Sequence, residues 1–165
     1  MKNLLIVYYS WSNGNTERIA KKLKEATDAD IVRIDTVVPY AGSYNDVVDQ
    51  GQREVQCSYE PEIKPLCVNP KDYDMIAVGT PTWWYTMAPA ILTFLHSQDW
   101  SDKTVVPFMT NGGWPGHVIK DIKHTCVGAE IKEPLEVRFD SNGGNRMETP
   151  ETEVAAWVQR VKALL

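Results

Sequence analysis

Short, unbroken apolar runs alternate along this chain with segments whose apolar residues recur every three or four positions. Residues 4–8 read Leu-Leu-Ile-Val-Tyr, and comparable runs occur at 30–34, 75–79, 104–109 and 135–139. A strand with one wet face alternates apolar and polar residues, whereas a run apolar on both faces suits a parallel sheet covered on both sides. The intervening segments have helical spacing. Residues 16–24 gather Ile19, Ala20 and Leu23 on one face with Lys21, Lys22 and Lys24 outward. Residues 90–96 set Ile91, Leu92 and Leu95 behind Pro89, and residues 115–124 present Val118, Ile119 and Ile122. The last helix is expected to take Thr149 as cap and Pro150 as its first residue, with Glu151 and Glu153 near the positive end of its dipole. It then runs through Val154, Trp157, Val161 and Leu164. Such repetition predicts a doubly wound α/β fold: a three-layer sandwich on a five-stranded parallel sheet, in a single domain over residues 1–165. The connection 35–73 exceeds what a crossover needs. One helix is expected there at 45–55, and loop around Pro61, Pro65 and Pro70.

Composition narrows the function. Lys and Arg number 17 against 22 Asp and Glu, a formal charge of −5, so nothing neutralises phosphates over a wide area and a nucleic-acid partner is excluded. No apolar run is long enough for a membrane span. The apolar run near the start is too short for a signal peptide, which gives a cytoplasmic expectation. Cys57, Cys67 and Cys126 form no C-x-x-C pair and read as free thiols. His96, His117 and His124 lack metal-ligand spacing, so no metal is expected. The acidic residues Asp46, Asp49, Glu54, Glu60 and Glu62 read as a solvated surface. Six tryptophans are many for such a chain. Trp100 and Trp157 fall where packing residues belong; the other four, Trp11, Trp83, Trp84 and Trp114, fall in loops.

In an open parallel sheet, ligands bind beyond the carboxyl ends of the strands where strand order reverses. After the first strand come Ser10, Trp11, Ser12, Asn13, Gly14, Asn15 and Thr16. Hydroxyls, amides and a glycine ahead of a helix form an anion nest of open N–H groups at a positive dipole end. The loop lacks the G-x-G-x-x-G of dinucleotide folds and the Gly-Lys of a Walker loop. It resembles the loop of low-molecular-weight tyrosine phosphatases, but Ser12 stands where their nucleophilic cysteine is needed, so that chemistry fails. After the third strand come Pro81, Thr82, Trp83, Trp84 and Tyr85, and three aromatics in a row cannot all enter one core. After the fourth come Thr110, Asn111, Gly112, Gly113 and Trp114, whose glycines admit a ligand close to the backbone.

On these three loops, and on Asp72-Tyr73-Asp74 before the third strand, the chain resembles the flavodoxin family over nearly its whole length. It looks most like members whose second loop carries a Trp-Trp pair, with Asn13-Gly14 in place of the family's Thr-Gly. The resemblance implies strand order 2-1-3-4-5 and bound FMN. Carried over, Ser10, Ser12, Asn13, Asn15 and Thr16 would hold the phosphate while Gly14 lets the loop turn. Pro81 to Tyr85 would border the isoalloxazine, with Trp11 among the aromatic walls. Thr110 to Gly113 would bond the pyrimidine edge or cover the far side, with Trp114 nearby. The three loops contain no Lys or Arg, which disfavours an anionic reduced flavin and lowers its potential. The leading expectation is an electron-transfer flavoprotein, a monomer or weak dimer working with redox partner proteins or a small-molecule electron acceptor. The alternative is an NAD(P)H-dependent flavin or quinone oxidoreductase. Against it stand the missing arginine-bearing first loop of related reductases and the lack of a basic site for nicotinamide phosphates. For it stands a Trp-rich crevice suited to a quinone.

Overall fold

A computed structural model describes residues 3–165; residues 1 and 2 of the expected domain lie outside it. The elements run β1 (Leu4–Tyr8), α1 (Asn15–Thr27), β2 (Asp30–Arg33), α2 (Tyr44–Gln56), a 3-10 turn (Pro70–Asp72), β3 (Met75–Trp83), β4 (Thr86–Met87), α3 (Pro89–His96), β5 (Thr104–Asn111), α4 (Val118–Thr125), β6 (Glu130–Ile131), β7 (Leu135–Arg138) and α5 (Glu151–Lys162). The sheet order is β2-β1-β3-β5, with β6 and β7 both beyond β5 and parallel to it. Numbered by the five expected strands, this is 2-1-3-4-5.

Two refinements have local causes. The fifth strand position is shared: β6 pairs with Thr104 and Val105, β7 with Phe108 to Asn111. Pro134, which has no N–H to give, and Glu133 at φ +48° break the run between them. The Glu133 carbonyl then accepts Trp157 Nε1 at 2.7 Å, pinning the break to α5. Second, β3 continues past Gly79 to Trp83 and turns back as the short antiparallel β4, pairing Trp83 with Thr86.

Side-chain alternation explains why the strands are apolar on both faces. Leu4, Ile6, Met75, Ala77, Val106 and Phe108 point to the layer holding Ile19 and Leu23 of α1 and Val154, Trp157 and Val161 of α5. Leu5, Val7, Ile76, Val78, Val105 and Met109 point to the layer of α3 and α4. Gly79 gives up its side chain to the Phe108 ring, which fills the space a Cβ would need. Trp100 and Trp157 are buried, each indole N–H bonded to a carbonyl at 2.7 Å.

Helix ends depart from expectation where loops make tertiary bonds. Pro150 (ψ 137°) is the cap of α5 instead of its first residue, because the Thr149 hydroxyl accepts the Arg138 N–H at 2.8 Å. The helix expected from residue 115 starts at Val118, since Gly116 is left-handed and the His117 N–H bonds the Tyr85 carbonyl at 2.7 Å. Within α2, Glu54 is buried, unlike the solvated residue expected: its carboxylate accepts the Tyr40 hydroxyl and the Gln50 amide at 2.7 Å each. All three cysteines are free, and burial pushes the Cys126 thiol up to about 12. Among the described residues no helix is long and apolar enough to cross a membrane, and no cluster of three or more His, Cys, Asp or Glu could hold a metal ion.

Candidate functional site

The loops after β1, β3 and β5 meet at the carboxyl edge of the sheet around a cavity of about 300 Å³. Of the residues expected there, Trp11, Ser12, Asn13, Asn15, Thr16, Pro81, Thr82, Trp83, Trp84, Thr110, Asn111 and Gly112 line it. Ser10, Gly14, Tyr85, Gly113 and Trp114 do not. The buried Ser10 offers its Oγ to the Glu17 N–H at 3.4 Å and its carbonyl to Arg33 at 2.9 Å. Tyr85 and Trp114 are more than half exposed at the rim.

One end of the cavity is small and polar, and the first loop brings no charged side chain to it. Gly14 is the cap of α1 in a left-handed conformation, and it supplies no side-chain acceptor. The Glu17 N–H is met by Ser10 Oγ, while those of Asn15 and Thr16 have neither an intrahelical partner nor a cap at Gly14. Ser12 is also left-handed, at φ +66°. The Thr16 and Thr110 hydroxyls bond each other at 2.8 Å, joining the first and third loops. A further segment, unexpected from the sequence, closes this end. Asp140 accepts the Gly144 N–H at 2.8 Å and the Arg146 N–H at 3.1 Å, which holds its carboxyl below the usual carboxylate range. The turn so formed offers the Gly143 carbonyl to the Asn13 amide and the Gly144 carbonyl to Asn15 Nδ2 at 3.0 Å. With Nδ2 committed, Asn15 Oδ1 is left buried without a partner.

The other end is aromatic. Trp83 is held edge-on by Tyr9 (centroids 5.8 Å apart), Tyr40 (5.0 Å) and Trp11 (6.1 Å), while Trp11 stacks on Tyr44 at 5.6 Å. Burial raises the pKa values of both the Tyr9 and the Tyr40 hydroxyl, the latter helped by Glu54, so neither supplies charge. Trp84 and Tyr85 occupy the two turn positions of the β3–β4 hairpin at φ +49° and +71°. A two-residue hairpin turn wants Asn-Gly at such angles, so this one is held from outside. Trp84 Nε1 donates to the Val48 carbonyl at 2.8 Å, Tyr85 is bonded by His117, and Gly116 lies against the Tyr85 carbonyl. From α2, Tyr44, Val47, Val48 and Gly51 also line the cavity, and a Cβ on Gly51 would come within 3.1 Å of the Trp83 ring.

Charges reach the site from outside the loops. Arg18 is turned toward α5, paired with Glu151 at 3.0 Å. Arg138 of β7 lies 3.1 Å from where a Gly113 side chain would begin, and it is paired with Glu148 at 3.0 Å. Glu136 accepts the Asn111 amide at 3.2 Å, and Asn111 Oδ1 accepts the Gly113 N–H at 2.7 Å. The Asn111 side chain thus shapes the third loop.

The model of the flavodoxin family matches residues 3–161. The chain belongs to the flavodoxin family. A search of curated proteins finds no match. Among solved structures, a protein from Bacteroides eggerthii DSM 20697 is 28% identical, covers 98% of each chain and superposes with a TM-score of 0.78. A flavoprotein from Lactobacillus acidophilus NCFM in complex with FMN is 24% identical over 82% of this chain and 93% of its own, with a TM-score of 0.71. The flavodoxin of Fusobacterium nucleatum bound to flavin mononucleotide shares the fold at 14% identity, over 100% of this chain and 99% of its own, with a TM-score of 0.58.

Proposed function

We propose that this cleft binds FMN and that the chain carries electrons through it at low potential. One observation carries the reading: a single cavity joins the first turn of α1, whose cap residue Gly14 has no side-chain acceptor, to an aromatic wall. The residues fit the group. A Cβ on Gly14 would meet nothing within 4 Å, so the loop leaves room at its turn. The orphaned Asn15 Oδ1 calls for a ligand donor, and ribityl hydroxyls are donors. Ser12, Asn13, Asn15 and Thr16 would hold the phosphate. Pro81 to Trp84 and Trp11 would border the rings, and Thr110 to Gly112 would take the remaining edge.

Bound there, FMN supplies the redox chemistry. The chain contributes binding, orientation and charge. None of the three loops holds a cation, Arg138 is paired with Glu148, and Glu136 brings a carboxylate to the third loop. These surroundings penalise a negative reduced ring and lower its potential. The reading includes a cytoplasmic location, a monomeric or weakly dimeric state, and partners that are redox proteins or a small electron acceptor. The exposed Tyr85 and Trp114 at the rim favour a second reading, an NAD(P)H-dependent reductase of quinones on the same site.

Reconstitution followed by stepwise reduction in the visible range tests both. One FMN per chain and two separate one-electron steps are expected. A colourless protein after reconstitution overturns the FMN assignment; rapid steady turnover of NADPH with a quinone replaces the carrier by the reductase.

A further inference from the structure

A second groove lies between the C-terminal half of α2, the start of α3 and α4, on the far side of the β3–β4 hairpin. It encloses about 360 Å³, within the range of small-molecule sites. Its body is apolar, from Val55, Met87, Pro89 and Leu92. Its polar end comes from α4 and its cap, where His117, Asp121 and His124 recur at helical spacing and share one face.

Asp121 Oδ2 accepts both the Thr86 hydroxyl, at 2.5 Å, and His117 Nδ1. A carboxylate partner requires the proton on Nδ1, so the neutral ring presents Nε2 as an open acceptor. The His117 backbone N–H is tied to Tyr85 as well, so the main chain that carries the imidazole is fixed. Across the groove, both oxygens of the buried Glu54 are already used by Tyr40 and Gln50.

We propose that this groove is a second ligand site, taking a small aromatic molecule whose single hydroxyl donates to His117 Nε2. The site stands independently of what fills the first cleft.

The probe is 4-methylphenol, followed by saturation-transfer NMR and by the histidine side-chain nitrogen resonances, with and without added FMN. Toluene and 4-methylbenzylamine serve as comparisons. The phenol is expected to bind at least tenfold more tightly than either, to move the His117 Nε2 resonance, and to be insensitive to FMN. Leu92→Trp, which fills the groove, is expected to abolish binding. His117→Phe reduces the phenol to the level of toluene, and circular dichroism verifies the fold of both variants. Equal binding of the three probes, preference for the amine, displacement by FMN, or full binding by both folded variants each overturns the proposal.

Discussion

At the end of the cleft proposed for the phosphate the chain works with backbone N–H groups and short polar side chains, tied across large sequence separations by Asn13, Asn15 and the Thr16–Thr110 pair. At the end proposed for the ring it works with large aromatic faces, held edge-on and propped by a hairpin in an unfavourable turn conformation. One end gains its shape from hydrogen bonds and the other from volume. Directional bonds tolerate local vacancies, whereas interlocked rings and backbone do not. Substitutions at the two ends should therefore fail in different ways.

Paired glycine replacements give the largest contrast. Both Gly14 and Gly116 are left-handed, but a Cβ on Gly116 collides with the Tyr85 carbonyl while one on Gly14 meets nothing. Gly116→Ala is expected to cost about 3 kcal/mol or more in urea unfolding, and Gly14→Ala only roughly 1–2 kcal/mol, the penalty for the conformation itself. Similar losses would erase the distinction between the ends. Next, Tyr40→Phe strips a donor from the buried Glu54 and loosens the brace on Trp83, costing about 2 kcal/mol by the same measurement. At the phosphate end, Thr16→Ala is expected to weaken FMN about tenfold, or ~1.4 kcal/mol, while riboflavin, which has no phosphate, loses little. Equal losses for both ligands in a fluorescence titration would remove Thr16 from the phosphate site.

Charge offers a finer probe. Glu136→Gln removes a carboxylate beside the third loop, so the potential of the bound flavin should rise by about 30–60 mV, a threefold to tenfold change for one electron. Arg138→Leu should shift it the other way. The smallest effect is the acid response of the 140–146 turn. Asp140 lies below the ordinary value of 3.8 because two backbone N–H groups donate to its ionised form. A lowered folded value means that its contribution is complete above the unfolded pKa and fades as pH drops through the folded one. The Gly144 amide should lose hydrogen-exchange protection below about pH 4, and Asp140→Ala should show that loss already at neutral pH.

Much of this arrangement was legible in the residues. The strand at 4–8 matches β1, and the other four expected strands overlap β2, β3, β5 and β7, because burial on both faces leaves a pattern that few other structures produce; the short β4 and β6 were not expected, and the helix at 45–55 was expected from the length of its connection. The ends were less legible, since Thr149 and His117 are recruited by backbone far away in sequence. The contribution of α2 was missed although a signal existed: Val47, Gly51 and Glu54 lie on one helical face, and Gln50 precedes Glu54 by one turn. Reading Glu54 among its acidic neighbours hid that stripe. No local signal marks residues 140–146. A glycine-rich polar turn looks like any surface loop until its carbonyls meet Asn13 and Asn15, about 130 positions earlier.

Those same ties set an order of events during synthesis. Residues 4 to 27 leave the ribosome well before residues 143 to 151, where the partners of Asn13, Asn15 and Arg18 lie. Chains emerge at roughly 5–20 residues per second, so the first loop spends several seconds without the turn that closes it. The first loop is finished only by the segment leading into α5, so the cleft closes only after that segment has emerged.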